Sequence, residues 1–227
     1  MDKEFVVLVP ARSGSQRILN KNLRDFADSS LIEIKLKQAM RIFKGKAKII
    51  FNTDSKLYLE KYANLYDEGV LRPRKYATSE VPMNDVYEYF AANLKDFDSI
   101  IYLNPTSPLL KDKSIKELFK IYKESGSKGI TTVTEHKEYL WIDKNPINYE
   151  PKHHPRSQDL PPFQTLNFAA SILKIDEMKK NRNIILPKPN FYILDSIEAF
   201  DIDEEWQFEL AESLYRKSFL KSNRNNL

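Results

Sequence analysis

Apolar and polar positions alternate in blocks along this chain. Short unbroken apolar runs change places with stretches that are apolar on one side only. Phe5–Val9 is an unbroken run that predicts a buried strand. Ile32, Leu36, Ala39, Met40 and Phe43 then recur at helical spacing. Lys48 to Asn52 predicts a second strand. Residues 56–66 predict a helix with Leu59, Tyr62, Ala63 and Tyr66 on one side, and Val70–Pro73 a short strand closed by proline. Asn84 or Asp85 is placed to cap a helix running to about Leu94, with Val86, Tyr89 and Phe90 inward. Ser99–Leu103 predicts another buried strand, stopped by Asn104-Pro105-Thr106-Ser107-Pro108. Ile115, Leu118, Phe119 and Tyr122 mark a further helix, with Gly126 and Gly129 after its end, and Gly129–Thr134 a further strand.

A β-then-α rhythm implies an α/β fold with a mostly parallel sheet and helices on both faces. Ligands of such sheets bind beyond the C-terminal strand ends. The loops at 10–22, 52–54, 72–79 and 104–108 should therefore converge on one rim. The rhythm breaks after residue 135, where Pro, His, Lys and Asn accumulate. That stretch is either a linker or an extended excursion. Tyr139, Leu140, Trp141, Ile147, Tyr149 and Phe163 favour an excursion that packs on a partner subunit or closes over the site. Ala169–Ile175 returns as a strand, and residues 191–194 form another. A helix then starts near Glu204 with Trp206, Leu210 and Leu214 inward.

Composition narrows the classes. With 36 basic and 32 acidic residues the net charge is only +4, too even to demand nucleic acid. The local basic run Arg216-Lys217 to Lys221 and Arg224 reads as a frayed, solvated end. The absence of cysteine rules out disulfides, thiol catalysis and cysteine-ligated metals. The three histidines, His136, His153 and His154, fit no helical zinc pattern. With no signal-peptide pattern and no membrane-length apolar run, a cytoplasmic protein without a membrane partner is expected.

Two places carry candidate chemistry. After the first strand, Pro10-Ala11-Arg12-Ser13-Gly14-Ser15-Gln16-Arg17 leads to Lys21-Asn22. Small residues let backbone N–H groups approach phosphate oxygens, and fixed cations neutralise them. It is neither a Walker loop nor a dinucleotide fingerprint, and a plain basic surface loop is the alternative. Near the C-terminus stands Asp201-Ile202-Asp203. On a strand both carboxylates would face one way, a spacing that suits Mg²⁺ sharing its shell with phosphates and water. A solvated acidic turn is the alternative there.

Taken together these segments resemble the acylneuraminate (CMP-sialic acid synthetase-like) cytidylyltransferase family. Ala11-Arg12-Ser13-Gly14-Ser15 through Lys21-Asn22 is similar to its first motif, and Asn52-Thr53-Asp54 to its S-T-D. Leu71-Arg72-Pro73 with Ala77-Thr78-Ser79 resembles its L-R-P segment. Leu103-Asn104-Pro105-Thr106-Ser107-Pro108-Leu109 resembles L-Q-P-T-S-P-L. Pro155-Arg156-Ser157-Gln158 resembles P-R-Q-Q, and Asp201-Ile202-Asp203 the terminal D-I-D.

The resemblance implies a single nucleotide-binding domain over 1–227, with 135–168 as an inserted dimerisation and acceptor lobe. It implies CMP transfer from CTP to a nonulosonic acid of sialic, legionaminic or pseudaminic type, with release of pyrophosphate, by a homodimer. Arg12 and Lys21 would hold the phosphates and, with Asp201 and Asp203, form the catalytic set. Ala11, Ser13, Gly14, Ser15, Asn22, Arg72 and Ser79 would complete the nucleotide site. Asn104, Thr106, Ser107, Arg156 and Gln158 would meet the acceptor, Arg156 from the other subunit. Asp201 and Asp203 would hold Mg²⁺.

The chain also departs from the family. Gln16 stands where a lysine is usual, with Arg17 beside it, and Leu19-Asn20 replaces a Pro-Gly-like pair. Asn104 replaces glutamine, and Phe163–Ala170 lacks an arginine and a glycine. All but the first two of these changes fall on the acceptor side. Another acidic sugar or a phosphonate is therefore an alternative acceptor. A metal-dependent glycosyltransferase, or a nucleotide binder without chemistry, is the rival reading.

Overall fold

The computed structural model describes residues 4–220. Lys221 and Arg224 of the basic run lie outside them. Strands β1 (Phe5–Pro10), β2 (Lys48–Thr53), β3 (Glu68–Leu71), β4 (Ser99–Leu103), β5 (Gly129–His136), β8 (Phe163–Lys174) and β9 (Asn190–Leu194) form one seven-stranded sheet. Its order is β3-β2-β1-β4-β8-β5-β9. Every pairing is parallel except those of β8, which runs antiparallel to β4 and β5. No α-helix separates β5 from β8, only two single turns of 3-10 helix at Pro151–His153 and Ser157–Asp159. A parallel return needs a crossover, so the chain goes out through an excursion and comes back antiparallel.

The central strands β1, β2 and β4 are buried on both sides by strict alternation. Phe5, Val7 and Val9 of β1 join Ile49, Phe51, Ile101 and Leu103 under α1 (Leu31–Phe43), α2 (Lys56–Lys61) and α4 (Asp112–Ser125). Val6, Leu8, Ile50, Ile100 and Tyr102 face α3 (Met83–Asn93) and α5 (Ile175–Asn181). A smaller cluster joins Ile18 and Phe26 to Ile202, and to Phe208 and Ala211 of α6 (Glu205–Tyr215). The first loop, the acidic pair and the last helix thus share one piece of core.

Several expectations are corrected. The 56–66 helix stops at Lys61, and the chain turns at Tyr62, with Leu65 N–H on the Tyr62 carbonyl, to bring β3 beside β2. Tyr58, Tyr62 and Tyr66 still reach the core, Tyr62 and Tyr66 from outside the helix. The third strand sits earlier than Val70–Pro73, although Arg72 N–H extends its ladder onto the Thr53 carbonyl. Helix α3 is capped at Pro82. Asn84 and Asp85 instead bond the Arg182 carbonyl and guanidinium across the molecule. On α6 the inward residues are Phe208 and Ala211, while Trp206 and Leu210 are exposed. Phe208 wins because its ring meets Phe26 edge to face.

Residues between β5 and β8 are ordered around aromatic contacts. Tyr139 packs against Tyr149 and His154, and its hydroxyl donates to the Pro155 carbonyl at 2.5 Å. Short strands β6 (Trp141–Ile142) and β7 (Asn145–Pro146) pair there. This is an excursion and not a linker.

Candidate active site

Strands β1 and β4 are neighbours, and from them the chain proceeds toward opposite edges of the sheet, from β1 to β2 and from β4 to β5. At such a switch point the following loops diverge and leave a crevice. Here the crevice is a cleft of about 560 Å³. The loop after β1 lines it with Ala11, Arg12, Gly14, Ser15, Gln16, Arg17, Lys21 and Asn22. The 72–79 segment contributes Arg72 and Ser79, and the loop after β4 contributes Asn104 and Thr106. Asp201 and Asp203 close one side, and Phe90 and Tyr102 form an apolar part of the wall.

The 52–54 loop stays behind the wall and holds it. Ser13 N–H donates to Asp54 Oδ1 at 2.7 Å and Ser13 Oγ to Oδ2 at 2.8 Å. Asn52 Oδ1 accepts from Arg72 Nε at 2.7 Å, and the Asn52 carbonyl accepts from Nη2 at 3.1 Å. Arg72 also lies 5.0 Å over the Phe90 ring. Burial disfavours its charge, so an anionic or strongly accepting ligand group beside it is stabilised. Asn22 Nδ2 donates to the Arg12 carbonyl at 3.1 Å.

The charged end is mixed. Lys21 Nζ donates to the Ile202 carbonyl at 2.5 Å and stands 3.6 Å from Asp203 Oδ1. Arg17 Nη2 donates to the same oxygen at 3.0 Å. Gln16 Nε2 turns to Ser79 Oγ at 2.7 Å, so the neighbouring positions point differently and the cation at 17 meets the carboxylates. Thr106 Oγ1 donates to Asp201 Oδ1. Burial lowers the Lys21 pKa, against the pull of Asp201 and Asp203. Burial, and secondarily Asp203, raises that of Asp201, while Thr106 and Lys21 oppose the rise. A carboxylate raised in this way has room for more positive charge.

Residues 201–203 are not in a strand. Of their backbone N–H groups, Ile202 donates to the Thr106 carbonyl at 3.0 Å and Asp203 to Gln207 Oε1 at 2.7 Å. Alternation survives without a ladder, because Ile202 is fully buried and the two aspartates face the cleft. Among the described residues no three His, Asp or Glu side chains converge. Two carboxylates suit an ion that takes its remaining ligands from phosphate and water, so the donor set fits Mg²⁺.

Not every expected site residue is on the wall. Ser13 is taken by Asp54, and Ser107 is fully buried behind the loop, so its side chain does not face an acceptor from this cleft. Arg156 is exposed and pairs with Asp159 at 2.8 Å, and the Gln158 carbonyl accepts from Lys137; neither residue lines the cleft. Sequence reading missed Phe90 and Tyr102 as wall residues, and Asp54 and Asn52 as the groups that hold Ser13 and Arg72. For Asp54 the signal was its place directly after β2.

Comparison with known proteins agrees with this geometry. The model of the family described as Cytidylyltransferase matches residues 6–224. N-acylneuraminate cytidylyltransferase of Escherichia coli O18:K1:H7 is 26% identical over 96% of this chain, which spans only 53% of that relative. CMP-N,N'-diacetyllegionaminic acid synthase of Legionella pneumophila is 28% identical, over 92% of this chain and 95% of its own. The solved structure of a CMP:2-keto-3-deoxy-manno-octonic acid synthetase complexed with CTP shares the fold. Its TM-score is 0.69 at 13% identity, covering 95% of this chain and 100% of that one. With a family model matched from the first strand onward and a cleft at the sheet's switch point, the chain belongs to the cytidylyltransferase family and is a CTP-dependent enzyme.

Proposed function

We propose that this chain transfers the cytidylyl group of CTP to a hydroxyl of a nonulosonic acid and releases pyrophosphate. The observation that carries the reading is the meeting, in one cleft, of Arg12, Arg17 and Lys21 with the pair Asp201 and Asp203. The acceptor oxygen attacks the α-phosphorus, a new P–O bond forms, and the bond to the β-phosphate oxygen breaks. The hydroxyl proton leaves to solvent or to a cleft base. Positioning and charge neutralisation supply most of the catalysis in such transfers.

In this reading Arg12 and Lys21 receive the triphosphate, and Arg17 supplies the charge that Gln16 lacks. Ala11, Gly14 and Ser15 offer close backbone approach, while Ser13 shapes the loop through Asp54. Asn22, Arg72 and Ser79 surround the cytidine, and Asn104 and Thr106 meet the acceptor. Asp201 and Asp203 hold Mg²⁺, which supplies a Lewis acid for the phosphate oxygens.

The named relatives act on sialic- and legionaminic-type acids, and their chemistry supports an acceptor of that class, pseudaminic type included. Asn104 and the arginine-free segment Phe163–Ala170 favour testing other acidic sugars and phosphonates as well. Residues 1–227 act as one domain, with 135–168 as a lobe that reaches a second copy and brings Arg156 and Gln158 toward its acceptor. Exposed Trp141, Ile142 and Ile147 support a homodimer. No described helix is long and apolar enough to cross a membrane, which fits a cytoplasmic enzyme.

The test is pyrophosphate release from CTP and Mg²⁺ with a panel of nonulosonic acids and phosphonates, against ATP, GTP and UTP. Release that requires CTP and one nonulosonic acid is expected. CTP binding without release across the panel would overturn the acceptor class, and consumption of a CMP-sugar without pyrophosphate would favour a glycosyltransferase.

A further inference from the structure

Helix α1 buries two polar side chains where its neighbours bury aliphatic ones. Lys35 is 0% and Gln38 4% exposed. Three residues apart, they share a helix face, and Lys35 Nζ donates to Gln38 Oε1 at 2.7 Å. Both reach the loop after β4. Lys35 Nζ donates to the Ser107 carbonyl at 3.0 Å, and Gln38 Nε2 to the Leu110 carbonyl at 2.6 Å. Gln38 Nε2 also donates to Asp112 Oδ1 at 3.0 Å.

The residue before Ser107 is Thr106. Its hydroxyl donates to Asp201, and its carbonyl accepts from Ile202 N–H. A continuous chain of bonds thus runs from the core of α1 to the acidic pair. Among the described residues the buried Ser107 hydroxyl has no hydrogen-bond partner, so it does not share this task. Burial pushes the Lys35 ammonium down to about 7. An apolar side chain of similar length would fill the space without that penalty. Packing alone therefore gives no reason for an ammonium here.

We propose that Lys35, seconded by Gln38, is a positioning residue: by pinning the Ser107 carbonyl it sets Thr106 so that Asp201 stands beside Asp203 to receive a divalent cation with CTP. The link to the cation rests on the cytidylyltransferase reading of the cleft. The tether itself does not.

The test compares the full chain with Lys35→Met and Lys35→Gln. Four quantities are measured: amide exchange at Ile202 and across 104–110, the thermal midpoint, Mn²⁺ affinity beside CTP, and CTP affinity in EDTA. In Lys35→Met the midpoint is expected to hold or rise, and exchange at Ile202 to accelerate about tenfold. Mn²⁺ affinity should fall about tenfold, as on losing a group that orients a ligand, with CTP affinity in EDTA unchanged. Lys35→Gln keeps a donor for Ser107 and should recover most of both losses.

Unchanged exchange, or unchanged Mn²⁺ affinity in folded Lys35→Met, overturns the proposal. So does a Lys35→Met chain that fails to fold, because the ammonium would then serve the core. A native protein that binds CTP but no Mn²⁺ overturns the metal reading, while the exchange comparison still decides whether Lys35 pins the loop.

Discussion

Asp201 is a half-buried carboxylate with a hydroxyl on one oxygen and a second carboxylate two residues away. Burial raises its pKa, so its ionised form is less favourable here than in a free carboxyl group. Removing it should not harm the fold. Asp201→Ala is expected to lose at least about a thousandfold in turnover, the scale of losing a main electrostatic group at a transition state, with an unchanged thermal midpoint. Activity within tenfold of native would sink the metal assignment. Lys35 makes a prediction of opposite kind. Its folded pKa of about 7 lies below the ordinary 10.5. Between those values the unfolded chain binds the extra proton, so stability attributable to this group rises with pH, by at most about 1.4 kcal/mol per pH unit. Below about 7 the penalty is present in full. Urea unfolding of native and Lys35→Met chains from pH 7 to 10 checks this: the native slope should be the steeper, and equal slopes would refute it.

Among elements, the link between β9 and the acidic pair is a turn bolted to α4. Glu198, 6% exposed, accepts from Lys111 N–H at 3.1 Å, Lys111 Nζ at 2.7 Å and Ser114 Oγ at 2.6 Å. Helix α4 has no side-chain cap at Lys111, so this carboxylate from another element takes that place near the positive end of the helix. Glu198→Ala leaves buried donors unpaired and should cost about 2–3 kcal/mol, read by denaturant titration. A loss under about 0.5 kcal/mol, the range of ordinary surface changes, would show that the turn is held elsewhere. At its other end α4 stops at Gly126, whose φ of +62° is left-handed. The glycine after the periodic apolar residues had marked that stop in the sequence.

For the whole molecule, the residues proposed for the acceptor are split: Asn104 and Thr106 line the cleft, and Arg156 and Gln158 do not. Nucleotide-side residues meet within the described chain, while Arg156 and Gln158 stand on the excursion away from it. A second copy is the proposed source of the rest of the acceptor side. Light scattering of the native chain at micromolar concentration should report a dimer. Trp141→Glu with Ile142→Glu should give a monomer whose CTP affinity is kept and whose acceptor KM rises. A native monomer with full activity would refute this arrangement.

Apolar runs and helical spacing were enough to determine β1, β2, β4, α1 and α4, because a strand buried on both faces and an amphipathic helix each have one way to hide their apolar residues. The cations of the loop after β1 and the aspartate pair were legible as candidates for a different reason: small residues with cations directly after a strand, and two carboxylates two residues apart, are chemistry that packing does not explain. The tertiary structure alone decided the rest. Trp206 looked inward by spacing, but Phe26 selected Phe208. Asn84 and Asp85 looked like caps, but Arg182 from a distant helix end took them. Ser107 belonged to a motif and faces the core, whereas Lys35, outside the apolar spacing of α1, is fully buried and donates to the Ser107 carbonyl. These choices depend on partners far away in the chain, and local spacing holds no information about where a distant side chain will arrive.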